Sequence, residues 1–235
     1  MASLFEIGKT GVQAYRQALS VTGQNIANIN TEGYNKRSAD INEVAGVSGG
    51  PTNVTENSGL GVRVTDVRRS FDTYLADKTR TSKSDYEMLN DFVSKLSDLE
   101  NMLLPSGSDL GVFIGRFFDS LQDVASNPDS ISARTVSLEA GKALVSSFNH
   151  YDDQLKNFKS GSLRQFDNKI KEGNLNINQL VEVNKLIARS GSKAASNDVL
   201  DARDQLLKNL SQLFNFTVDY EITGEANIRL GDSGS

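Results

Sequence analysis

Apolar side chains recur every seven residues at the start of the chain, at Phe5, Val12, Leu19 and Ile26, and a second row three places further on holds Gly8, Tyr15, Thr22 and Ile29. Both rows fall on one face of a helix over residues 4 to 28, and that face reads as a coiled-coil seam. The helix is a weak one. Gly8, Gly11 and Gly23 each cost about 1 kcal/mol relative to Ala in a helix interior, so it is marginal until a partner covers the seam. The pattern leaves two partners open: the chain's own core, as for any amphipathic helix, or another molecule.

The stretch TGQNIANINTEGYNKR at 22–37 then turns the chain. Asn28 and Asn30 suit the carbonyl and amide groups left at a helix end, Gly33 suits a backbone angle most residues avoid, and Tyr34 suits an anchor for the outgoing strand. Alternation in LGVRVTDV at 60–67, with a polar, glycine-rich tip at 45–59, predicts an extended β-hairpin arm over 33 to 70. Leu75, Leu89, Leu96 and Leu103 share one heptad position of a second helix over 71 to 104, with Tyr86 and Val93 beside them and Pro105 and Gly107 as its stop. A third helix is expected over 110 to 126, ended by Asn127-Pro128. A fourth follows over 130 to 190, with Leu144, Phe148, Leu155, Phe166, Leu180 and Ile187 on its apolar side. A fifth covers 197 to 213 with Asn197 as N-cap, and residues 215–222 and 226–230 read as a hairpin turning at Thr223-Gly224.

The fold class expected is therefore mainly α: an N-terminal coiled-coil-forming helix, an extended β-hairpin arm, then a long-helix bundle with a small C-terminal β-hairpin. Residues 1–70 are expected to form one domain, the helix plus arm, and 71–235 a helical bundle domain, incomplete at its C-terminal end. Nothing in the remaining chain completes the seam or the last hairpin. The sequence reads as the front part of a longer protein whose C-terminal helix returns to the N-terminal one.

Composition narrows the chemistry. The 235 residues carry a net charge of −5, and no basic cluster larger than a doublet such as Arg68-Arg69 occurs, which argues against nucleic acid as a partner. Cysteine is absent, which removes disulfides, thiolate metal sites and cysteine nucleophiles together. His150 is the only histidine and has only Asp152 and Asp153 near it, so it reads as part of a solvated helix. Asp198, Asp201 and Asp204 are spaced to line one helix face like a cation site; with Arg203 among them, complementing the helix dipole is the simpler reading. Gly59-Leu60-Gly61 precedes a strand and reads as a turn, not a phosphate loop. No cofactor, metal or catalytic residue is expected, no run approaches the ~18 apolar residues of a membrane span, and Glu6 and Lys9 interrupt what would be a cleavable signal.

Several blocks resemble a known family. Residues 3–37, with Ala27, Asn28, Thr31, Gly33 and Tyr34 as the core of an A-N-x-x-T-x-G-Y pattern, resemble the N-terminal signature of the flagellar axial proteins, which comprise rod, hook and hook-associated proteins. Residues 59–80 are similar to the strand-to-helix return that follows it. Residues 117–148 and 175–221 resemble the helical domain of the first hook-associated protein family. The resemblance implies a structural, non-enzymatic role at the hook-filament junction. The assembly interface would be Phe5, Gly8, Val12, Tyr15, Leu19, Thr22, Ile26 and Ile29. The implied partners are copies of the chain in a ring, the hook protein, a second junction protein, and an export chaperone acting on the C-terminal region. The implied location is extracellular, reached by type III export without signal cleavage. Another axial protein, hook or rod, or a secreted enzyme or adhesin on a flagellar-type stem, are the alternatives.

Overall fold

A computed structural model of the chain describes residues 4–44, 61–103, 110–190 and 195–231. The expected tip at 45–59 and the helix stop at Pro105 and Gly107 lie outside the described residues. The described elements are α1 (Leu4–Ala27), β1 (Arg37–Glu43), β2 (Val62–Arg69), α2 (Thr73–Leu103), α3 (Leu110–Ser126), α4 (Ile131–Arg189), α5 (Asn197–Ser211), β3 (Phe216–Tyr220) and β4 (Ala226–Leu230). The chain is mainly α, with one hairpin as an arm and a second, small hairpin near its end.

Local chemistry explains the boundaries. Asp72 is the N-cap of α2, its Oδ1 accepting from the amide of Leu75 at 3.1 Å, and Ser130 Oγ does the same for Ala133 at the start of α4, at 3.2 Å. At α5 the expected cap is displaced by one residue. Ser196 is the N-cap, with extended backbone and no side-chain bond, and Asn197 Nδ2 instead donates to Val67 O on the arm at 2.6 Å. A tertiary acceptor has drawn that side chain away from its own helix.

The chain divides into two compact units, one of Met1–Ser84 with Leu175–Ser235, the other of Asp85–Asn174. In the first, the end of α4, α5 and the β3–β4 hairpin enclose a small core of Leu180, Leu207, Leu210, Phe216 and Ala226, flanked by Ile177, Val218 and Ile228. Two polar contacts lock the hairpin to it. The Asn184 amide brackets Ala226, donating to its carbonyl at 2.9 Å and accepting from its N–H at 3.1 Å. Arg203 lies over the Tyr220 ring at 4.7 Å and donates to Gly224 O at the turn, where Gly224 takes φ of 95°.

The arm is an antiparallel pair in which Arg37 opposes Arg69 and Glu43 opposes Val62. Register shifts between Asp40 and Ile41, leaving Thr65 as the extra residue; its hydroxyl accepts from Asn42 Nδ2 at 2.8 Å, which fixes the bulge. In the second unit α3 rests on α4 where Gly141 leaves room for the Phe117 ring, since a Cβ at Gly141 would lie 3.3 Å from it. Lys169 pairs with Asp91 across α4 and α2. Leu89, Val93, Leu96 and Leu103 on α2 are each more than half exposed.

Leu207 has no exposed surface. Leu207→Ala is expected to cost roughly 2–5 kcal/mol in the first unit. Chemical denaturation followed at Tyr220, which packs against that core, measures it.

Candidate functional site

α1 presents two faces of different chemistry. The face toward the arm is built from small or short side chains: Ala14 and Val21 are buried, and Ile7, Thr10, Ala18 and Asn25 are partly so. Its contacts are with β1 and β2. Close approach is possible because Gly61, at φ of 101°, sits under the helix; a Cβ there would lie 2.1 Å from Thr10 Oγ1. Gly61 thus serves as a packing glycine; Gly59 and Leu60 of the expected turn lie outside the described residues.

The opposite face is the heptad seam. Phe5 is 77% exposed, Leu19 72% and Ile26 68%, and Val12, Tyr15 and Ile29 are likewise exposed, as are Gly8 and Thr22. A Cβ added at Gly8, Gly11 or Gly23 would meet nothing within 4 Å. Within the described residues, the intramolecular packing of α1 uses the small-residue face, and the large seam residues stand in solvent.

The turn after α1 is organised by a residue that the sequence pattern did not single out. Asn25 Oδ1 accepts from both Tyr34 Oη and the Arg37 amide, each at 2.9 Å, while Asn25 Nδ2 donates to Arg37 O at 2.8 Å. One amide side chain in the last turn of α1 therefore ties the helix to the first residue of β1. The motif residues complete the bend around it. Ala27 ends the helix. Asn28 Nδ2 caps the Gln24 carbonyl at 2.9 Å, and Thr31 Oγ1 donates to Asn28 Oδ1 at 3.1 Å. Gly33 takes φ of 82° and lies against Gln205 of α5, where a Cβ would come 3.0 Å from Gln205 Oε1. Glu32 beside it accepts from Gln205 at 3.0 Å and from Lys208 at 3.1 Å; hydrogen bonding, first to Lys208 and then to Gln205, holds its carboxyl below the usual range.

The acidic row of α5 answers the arm. Asp201 and Asp204 are buried and face Arg37 and Arg69. Asp201 accepts from Arg37 at 3.1 Å, Arg69 at 3.0 Å and Asn35 at 2.7 Å, and Asp198 accepts from Arg37 at 2.6 Å. Burial works against the Arg37 charge, but its bonds to Asp198 and Asp201 outweigh that and hold it above its ordinary value. These carboxylates, of which Asp198 lies in the first turn of α5, thus also pair with the arm, and among the described residues no cluster of His, Cys, Asp or Glu could hold a metal ion. His150 is exposed on α4, its Nε2 2.9 Å from Gln154 Nε2.

Asn25→Ala is expected to remove three hydrogen bonds at once and to loosen the junction of α1 and β1, costing about 1–3 kcal/mol where buried partners are left unpaired. Hydrogen exchange at the Arg37 amide is expected to accelerate while protection at Leu207 and Leu210 is kept.

Comparison with known proteins gives this architecture its relatives. Residues 96–235 match the family described as the flagellar hook-associated protein FlgK helical domain, and residues 5–35 match the family described as flagella basal body rod protein. The chain is 28% identical to flagellar hook-associated protein 1 of Escherichia coli, over 100% of its own length and 43% of that protein. It is 27% identical to the same protein of Salmonella typhimurium, over 99% and 42%, and 28% identical to that of Bacillus subtilis, over 93% and 44%. The chain thus spans somewhat over two fifths of the length of these relatives. A solved structure of the flagellar hook junction protein FlgK from Burkholderia pseudomallei shares the fold, with a TM-score of 0.61 and 22% identity over 66% of this chain and 27% of that one. Because the helical-domain match covers more than half of its residues, the chain belongs to the family of the flagellar hook-associated protein FlgK.

Proposed function

We propose that the chain is a structural, non-catalytic part of a bacterial flagellar subunit that polymerises at the hook-filament junction, with the α1 seam as its inner assembly surface. The observation that carries this is the exposure of Phe5, Val12, Tyr15, Leu19, Ile26 and Ile29 on one stripe of a helix whose other face is already packed. Each large side chain contributes roughly 1.5–3 kcal/mol when a neighbour covers it, enough to offset the three glycine penalties. Covering the seam in an assembly thereby adds to the stability that α1 already has from its packing on the arm.

The remaining assignments belong to the same reading. Residues 1–70 act as the inner-tube domain and 71–235 as the surrounding bundle. The partners are further copies of the chain in a ring, the hook protein, a second junction protein and an export chaperone. The subunit acts outside the cell in the flagellum and is exported without cleavage of its N-terminus. The N-terminal match alone is compatible with rod or hook proteins; the helical-domain match supports the junction over them.

Gly8 supplies the test. A Cβ at Gly8 would meet nothing within 4 Å outside its own helix turn, so Gly8→Leu should raise helix stability by up to ~1 kcal/mol, yet it adds a bulky side chain to the seam. The full-length variant is expected to keep or raise its melting temperature and to lose incorporation and motility. Retained motility would overturn the seam's role.

A further inference from the structure

We propose that Arg37, Arg69, Asp201 and Asp204 form a releasable clasp between the arm and α5, and that opening it frees α1 and the arm as one body while the C-terminal core stays folded. The proposal stands on the geometry of the first unit and does not rest on the axial-assembly reading. It begins with an oddity of register. Arg37 and Arg69 are directly opposite each other on β1 and β2, where like charges destabilise a strand pair. The opposing residues on α5, one turn apart at 201 and 204, are carboxylates of like sign to each other. Each piece carries repulsion that docking relieves.

Asp201 bridges the two arginines, one oxygen taking Arg37 Nη2 at 3.1 Å and the other Arg69 Nη1 at 3.0 Å. Asp204 Oδ2 lies 2.7 Å from Arg69 Nη1, while its other oxygen is held by Arg203 at 2.6 Å. The four side chains are 10%, 10%, 9% and 7% exposed in the order Arg37, Arg69, Asp201, Asp204, so little water screens them. Ion pairs in such a setting contribute little net stability over an apolar contact, yet removing one partner strands a buried charge. That combination gives an interface that is specific in register and separable.

Further polar contacts join the motif turn and arm to α5, namely Asn197 to Val67 O, Gln205 and Lys208 to Glu32, and Asn35 to Asp201, beside a few apolar side chains, Val67 and Leu200 among them. By contrast, the apolar cluster of Leu180, Leu207, Leu210, Phe216 and Ala226 includes no residue of α1 or the arm. α1 and the arm are in turn held together by Ala14, Val21, the Asn25 bracket and the Thr10–Gly61 approach. Two cohesive pieces therefore meet at a charged joint, next to the short link at Ser70–Asp72.

The absence of cysteine makes the test direct. In the full chain, spin labels on Ser38→Cys with Ala202→Cys report the arm against α5, and labels on Gln13→Cys with Arg63→Cys report α1 against the arm. Pulsed dipolar spectroscopy is expected to give one narrow distance for each pair in the native background. In the Arg37→Gln/Arg69→Gln background the arm–α5 distance is expected to lose its single narrow peak, while the α1–arm distance and amide protection at Leu207 and Leu210 are unchanged. A narrow arm–α5 distance in that background would show that the clasp is not what holds the arm. Broadening of both pairs, or lost protection of the core, would show that the pieces do not separate as described; either result overturns the proposal.

Discussion

α1 must lie close to the arm, and only small side chains permit it. Ala14, Ala18 and Val21 face the hairpin, and Gly61 removes the one Cβ that would collide with Thr10. This constraint sends the large residues to the other side. A helix cannot both pack its bulk on its own chain and present a heptad seam, and here the geometry of the arm decides for the seam. The apolar stripe left in solvent is far larger than scattered surface residues require, which is the usual mark of an interaction surface.

Polar groups join α1 and the arm at the turn. Asn25 replaces what would be several separate caps, because one amide carries both donor and acceptor to the Arg37 backbone. Arg37 itself lies over the Tyr34 ring at 4.8 Å and reaches α5. The motif turn, the first arm residue and the acidic face of α5 are thus one continuous network. The turn is thereby hydrogen-bonded to a helix far along the chain, 166 residues separating Asn35 from Asp201.

Much of the fold was legible beforehand. Helices α3 and α4 and both hairpins fall where periodicity, Asn127-Pro128 and Thr223-Gly224 put them, since these signals are local and strong. Gly33 does take the left-handed backbone expected of it, and Tyr34 does anchor the bend. Asn197 is the first helical residue and not the cap, and its side-chain amide donates to Val67 O on β2, a contact that local sequence does not show. The acidic row at 198, 201 and 204 was visible as a row, and Arg69 as part of a basic doublet. That the two belong together was invisible, with 132 residues between Arg69 and Asp201.

By itself the sequence determined the periodicities, and with them the elements, their approximate limits and the existence of an apolar seam. These follow from side-chain spacing along 3.6-residue and two-residue repeats, which no distant contact can alter. Tertiary structure alone decided which face of α1 the chain covers, that Asn25 and not a motif residue centres the turn, and which carboxylates meet which arginines. Each of those depends on where segments far apart in sequence come to lie, and on the depth of burial there, and charge or polarity read along a chain carries no information about either.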